Sequence, residues 1–192
     1  MPQKSKKVVI TGVPGVGKTT VINGSMEALK ELGVSYTSIN FGTCMFEVAC
    51  DQNLVSDRDE MRKLDQDVQR NLQKTAAQVI AKITDNVIID THCTVSTPSG
   101  YLPGLPSWVL EELKPDIVVL VESNEDQILK RRLSDTTRTR DVEGYQSIKE
   151  HQNYNRFMAA SYSMLTGCTV KSIKNQDFLL ENAINEMVNL LK

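Results

Sequence analysis

Apolar and polar positions along the chain follow two periods. Short apolar runs at Val8–Ile10, Val87–Asp90 and Asp116–Glu122, the last two ending in an acid, have the form of strands buried on both faces. Ser35–Phe41 and Thr169–Ile173 read as two more strands, which makes five. Between the runs, apolar side chains recur at helical spacing, as at Val21, Ile22, Met26, Leu29 and Leu32. Further helices are expected from Gly42-Thr43 through Val48, over 57–84, and at Trp108–Leu113, Asn124–Leu133, Gln146–Leu165 and Phe178–Leu191. Strand and helix in alternation predict an α/β fold with a parallel sheet. A chain of 192 residues suits one domain.

Two stretches carry their own signals. Over 57–84, Asp57 is a good N-cap and Glu60 completes a capping box. Arg58 and Arg62, four apart, then share one helix face. Thr97–Pro106 holds three prolines and two glycines in ten residues, which predicts a loop. It is too apolar for a flexible linker and is expected to pack as a lip of a site.

The clearest chemistry follows the first strand. Gly12, Val13, Pro14, Gly15, Val16, Gly17, Lys18 and Thr19 fit G-x-x-x-x-G-K-[ST], and Thr20 continues into the first helix. Strand, glycine-rich turn and helix in that order make a phosphate cradle. Gly12, Gly15 and Gly17 admit backbone conformations closed to other residues. The loop N–H groups turn inward as an anion nest, and the helix N-terminus adds its positive end. Lys18 reaches the β- and γ-phosphates, and the Thr19 hydroxyl is a Mg2+ ligand. The stretch predicts nucleoside triphosphate binding and leaves open what is done with it.

Asp90 ends a strand on the side where ligands bind in such sheets, so its carboxylate is a second Mg2+ candidate. His92 follows, and a lone histidine is more often structural than catalytic. Arg131, Arg132, Arg138 and Arg140 crowd a segment with almost no apolar side chains. Arginine forks suit phosphate oxygens, so this stretch is a candidate cover for the triphosphate. Arg156 lies in the long helix that follows.

Composition narrows the partners. The net charge of −2 supplies no basic field for nucleic acid. Cys44, Cys50, Cys93 and Cys168 contain no C-x-x-C pair, which argues against a thiolate zinc site and for small apolar side chains in a reducing cytoplasm. The basic N-terminus precedes too short an apolar run for a signal peptide, and no stretch approaches a membrane span. A cytoplasmic protein is expected.

Taken together, Gly12–Thr20, Asn40-Phe41-Gly42-Thr43, Asp57–Leu64, Ile89–His92, Thr97–Pro106, Arg131-Arg132, Asp135–Asp141 and Gly167–Val170 give the chain, from Lys7 to Lys192, a resemblance to the archaeal-type adenylate kinases. The first stretch is shared by many ATP-binding families; the later ones in combination are specific. The resemblance implies a P-loop NTPase-like three-layer fold. It has a five-stranded parallel sheet, monophosphate-binding helices over about 42–84 and a short lid over about 134–142. It also implies Mg2+-dependent transfer between ATP and AMP to give two ADP, and a homotrimer. Its AMP site would take Asn40, Phe41, Gly42, Thr43, Arg58, Arg62 and His92. Its catalytic charges would be Lys18, Arg132, Arg138, Arg140 and Arg156. One departure stands out: bacterial and eukaryotic relatives follow the third strand with Asp-Gly-Phe-Pro-Arg, where this chain has Asp90-Thr91-His92-Cys93. Three other readings remain open here. A regulatory GTPase would need an Asn-Lys-x-Asp stretch, which Lys174-Asn-Gln-Asp177 does not match. The others are a kinase for another monophosphate or small acceptor, and a nucleic-acid-associated ATPase.

Overall fold

A computed structural model describes residues 5–134 and 144–192. The five expected strands are β1 (Lys7–Thr11), β2 (Thr37–Asn40), β3 (Val87–Asp90), β6 (Ile117–Glu122) and β7 (Thr169–Lys174). They form one parallel sheet in the order β2-β3-β1-β6-β7. Residue alternation splits its central strands between two cores. Val9, Val87, Ile89, Val118 and Leu120 face one layer of helices, α2 (Phe41–Asp51), α3 (Gln66–Ala81) and α4 (Ser107–Leu113). Val8, Ile10, Ile88, Val119 and Val121 face the other, with α1 (Lys18–Glu31) and α7 (Leu180–Leu191). The long helix α6 (Tyr145–Thr166) serves both, through Ala159 and Tyr162 on one side and Ile148 on the other. Burial on both faces is why β1, β3 and β6 read as continuous apolar runs.

The register places the chemistry. Asn40 and Ile10 both stand opposite Asp90. The carboxyl ends of β1, β2 and β3 therefore bring Asn40, Asp90 and the glycine-rich turn to one edge of the sheet.

Two expectations are corrected. The helix expected over 57–84 is broken. Asp57 and Glu60 do close a reciprocal box, with Asp57 Oδ1 accepting from Glu60 N at 3.1 Å and Glu60 Oε2 from Asp57 N at 3.4 Å. Only a single 3-10 turn, Glu60–Lys63, follows before Leu64 turns extended and Asp65 caps α3. Residues 58–63 offer only Met61 to a core, whereas α3 buries Leu72, Ala76, Ala77 and Ile80 along one stripe. The cap signal was real; the burial to extend it was missing. Arg58 thus precedes the 3-10 turn and Arg62 lies within it, and they do not share a helix face.

Thr97–Pro106 is likewise not a plain loop. Strands β4 (Thr94–Thr97) and β5 (Gly100–Pro103) pair antiparallel as a hairpin turning at Pro98-Ser99. The prolines sit in the turn, at the end of the ladder and just before α4, where no ladder N–H is needed. Leu105 beyond it is buried, while Val95 and Leu102 stay exposed. Tyr162 of α6 anchors this end: its hydroxyl donates to the Cys93 carbonyl at 2.7 Å and accepts from Leu105 N at 3.0 Å.

Candidate active site

The turn between β1 and α1 has the shape the glycines predict, for two different reasons. Gly15 and Gly17 both lie in the left-handed region, at φ 85°. Gly12 is not conformationally special: a Cβ there would stand 2.5 Å from the Val121 carbonyl oxygen, so it is glycine because β6 passes close behind. Val13 and Val16 bury their side chains in the core, which leaves only their backbone to a ligand. Val16 N donates to Val13 O at 3.2 Å within the turn. Pro14 is exposed, and Thr19 and Thr20 are exposed on the first turn of α1.

Lys18 opens α1 and forms an ion pair with Asp90 Oδ1. Asn40 Nδ2 donates to the other carboxylate oxygen of Asp90 at 3.3 Å. Asn40 also caps α2, its Oδ1 accepting from Thr43 N at 3.0 Å and from the Thr43 hydroxyl at 3.2 Å. The Arg58 guanidinium donates to the Thr43 hydroxyl and sits 5.7 Å from the centre of the Phe46 ring. One connected line of polar contacts thus runs Lys18–Asp90–Asn40–Thr43–Arg58. Gly42 is exposed beside it, and Arg62 is exposed on the 3-10 turn. Phe41 turns its side chain into the core. His92, just past Asp90, is exposed. Its pKa is lowered, first by the loss of water from its surroundings, then by the Lys18 ammonium; Asp90 opposes this and His151 adds to it. Next to His92, Cys93 is buried and its thiol is pushed up to about 12 by desolvation, an inert side chain at neutral pH.

The arginines separate. Arg131 of α5 (Glu125–Ser134) points to the back of the glycine-rich turn. Its Nη1 donates to Val16 O at 3.0 Å, its Nη2 to Asn175 O at 3.1 Å, and its Nε to Asp177 Oδ1 at 3.0 Å. Arg132 Nε donates to Pro14 O at 2.8 Å. Arg156 is held by Glu122 at the end of β6: Nε to Oε1 is 2.6 Å, and the other oxygen accepts from the Ser172 hydroxyl at 2.5 Å. The bond to Glu122 raises the Arg156 pKa. Arg138 and Arg140 lie outside the described residues.

Asn175, Asp177 and Glu122 were not legible as site residues. Asn175 reaches the turn from just beyond β7, Asp177 fixes Arg131 behind it, and Glu122 at the end of β6 holds Arg156; these partners lie far apart in sequence, and no local spacing marks them. Hard-oxygen donors do fit a magnesium ion. Mg2+ keeps several waters and binds through one or two protein oxygens plus substrate phosphates, and the Thr19 hydroxyl and the Asp90 carboxylate, here paired with Lys18 and Asn40, are donors of that kind. Among the described residues no group of three or more His, Cys, Asp or Glu could hold a metal alone.

Comparison with known proteins bears on this geometry. The AAA domain family matches residues 11–149. A protein named adenylate kinase from Methanoculleus marisnigri is 62% identical over 189 residues, covering 97% of this chain and 98% of that one. Another of the same name, from Methanocaldococcus jannaschii, is 54% identical over 191 residues, covering 98% of this chain and all of that one. Among solved structures, a shikimate kinase from Bacteroides thetaiotaomicron superposes with a TM-score of 0.57 at 14% identity, covering 97% of this chain and 98% of that one. A gluconokinase from Sinorhizobium meliloti gives 0.51 at 12%, covering 98% and 95%. At such identities these last two speak for the fold alone.

Proposed function

This chain belongs to the adenylate kinase family, and we propose that it transfers the γ-phosphoryl group of ATP to AMP, reversibly and with Mg2+, giving two ADP. The observation that carries the reading is the line of polar contacts from Lys18 through Asp90 and Asn40 to Arg58. It joins a triphosphate cradle to Asn40, Thr43 and Arg58 beside the carboxyl edge of one sheet, so donor and acceptor phosphates would lie side by side.

In the reaction an oxygen of the AMP phosphate attacks the γ-phosphorus, and the bond to the β–γ bridging oxygen breaks. The acceptor is already an oxyanion, so no general base is needed. Positioning and charge supply the rate. Thr19 and Asp90 would hold Mg2+, which neutralises phosphate charge when bound. Lys18 then leaves Asp90 for the donor phosphates. Asn40, Thr43, Arg58 and Arg62 receive AMP, with His92, Phe41 and Gly42 beside them. Arg156 and, from the sequence alone, Arg138 and Arg140 balance charge at the transferring group, while Arg132, whose Nε holds the Pro14 carbonyl, acts through the glycine-rich turn. The short lid expected over about 134–142 lies, from 135 on, outside the described residues.

The deciding experiment is a coupled assay of ATP against AMP, CMP, UMP, shikimate and gluconate. AMP should give the highest kcat/KM; a higher value for any other acceptor overturns the assignment. We further propose one domain with a monophosphate-binding part over about 42–84. The reading also has the protein working in the cytoplasm, without nucleic-acid or membrane partners. Among the described residues no helix is long and apolar enough to cross a membrane. A homotrimer is part of the same reading. Exposed Tyr154, Phe157, Met164 and Leu165 lie along one stripe of α6 and would suit a subunit contact. Sedimentation equilibrium at a single monomeric mass would refute it.

A further inference from the structure

Three side chains grip the glycine-rich turn from behind, and peptide geometry gives that grip a consequence. A trans peptide is planar, with its C=O and N–H pointing opposite ways. Whatever holds the carbonyl of residue i on one side of a loop therefore turns the N–H of residue i+1 to the other. The Val16 carbonyl accepts from Arg131 Nη1 at 3.0 Å and from Asn175 Nδ2 at 2.9 Å, which engages both of its lone pairs. The Pro14 carbonyl accepts from Arg132 Nε at 2.8 Å. Val16 N is spent inside the turn on Val13 O, and Pro14 has no N–H.

We propose that Asn175, Arg131 and Arg132 are positioning residues for phosphate binding. By holding the Val16 and Pro14 carbonyls outward, they aim the Gly17 and Gly15 N–H groups at the ligand. The inference rests on the reading above that this turn binds a triphosphate.

The supports are themselves fixed. Asn175 is buried, and its own N–H donates to Glu122 O at 2.7 Å. The ion pair to Asp177 holds Arg131, and Asp177 N donates to Gln127 Oε1 at 3.0 Å. All three nitrogens of the Arg131 guanidinium donate to protein oxygens, and Asp177 balances its charge. Arg131 is thus placed to act on phosphate through the loop. Gly17 completes the fit: a Cβ there would stand 2.4 Å from Asn175 Nδ2, so the amide reaches the Val16 carbonyl only past a glycine.

Asn175→Asp is the sharpest test, because it keeps the shape and sets an acceptor where Val16 O needs a donor. The probe is inorganic tripolyphosphate, which has no base or sugar to bind elsewhere, followed by calorimetry and by the Gly15 and Gly17 amide signals in 1H–15N spectra. Wild-type protein should bind it with downfield shifts of both amides. In Asn175→Asp the dissociation constant should rise about tenfold or more, the worth of one such hydrogen bond. The Gly17 shift should vanish while AMP affinity is unchanged. A folded Asn175→Asp protein with wild-type tripolyphosphate affinity and a wild-type Gly17 shift overturns the inference and leaves the functional reading standing. If that variant does not fold, Asp177→Asn, which frees Arg131 at a half-buried site, should still weaken tripolyphosphate several-fold, and no change would overturn the inference. Wild-type protein that ignores tripolyphosphate overturns the functional reading, and this inference with it.

Discussion

The donor and acceptor sides of the crevice are built in opposite ways. The glycine-rich turn is tied by residues 115 and 159 positions away, Arg131 and Asn175 on Val16 O, and its valines are anchored in the core. On the acceptor side, Asn40 also reaches Asp90 across 50 positions, but Arg58 bonds Thr43 across only 15, and Asn40 bonds Thr43 across 3. Of the groups proposed to receive AMP, Asn40, Arg58, Arg62 and His92 are exposed. A loop held by distant elements keeps its geometry without a ligand, because moving it would disturb the core its valines pack in. Ties formed within a short stretch leave ordering to be completed by the substrate, and part of the binding free energy is then spent on it. On the proposed reading the donor cradle is therefore preorganised, and the acceptor side is left for AMP to order.

The largest effect should come from breaking the donor side at its charge. Lys18→Met should fold and lose about 100-fold or more in kcat, since one preorganised charge contact contributes several kcal/mol at the transition state. Turnover near the wild-type rate in a folded variant would remove Lys18 from the mechanism. On the acceptor side, Arg62→Ala should weaken AMP binding by about 1.5–3 kcal/mol, the usual worth of a charge-assisted hydrogen bond, and leave ATP almost untouched. Separate titrations of the two nucleotides would show it. Equal losses for both would erase the distinction between the two sides.

Hydrogen exchange measures the contrast without mutation. Amides of Asp59, Glu60 and Arg62 should exchange far faster than those of Val9, Ile10 and Val119, because opening the 3-10 turn exposes almost no apolar surface while opening the sheet exposes both cores. AMP should slow the first set and barely change the second. Equal protection in the free protein would contradict a substrate-finished recess.

The smallest effect belongs to His92, where the two sides meet. Its pKa is lowered from 6.5, so just below that pH the unfolded chain binds more protons than the native one. Stability must then fall as the pH drops through this window. NMR titration should place the His92 midpoint below 6.5, and His92→Gln should flatten that part of the stability curve. A midpoint at or above 6.5 would mean that Asp90 outweighs Lys18 and desolvation at this position.

Much of the fold was written in local pattern. Apolar runs buried on both faces mark β1, β3 and β6, because a parallel strand between two helical layers has no polar face to show. The motif Gly12–Thr19 likewise announced its own turn, since a phosphate nest needs those residue types at that spacing. The break at Leu64 and the pairing of β4 with β5 were not legible. Each depends on whether a segment finds a surface to bury against, and a capping box or a proline-rich stretch does not report that. Tertiary structure alone also decided what the arginines do. Arg131 and Arg132 belong to one basic cluster in the sequence, yet the fold brings the glycine-rich turn to them and sets them on its carbonyls. Asn175, Asp177 and Glu122 carry no local signal for the same reason: their partners are far along the chain, and only sheet order and register make them neighbours.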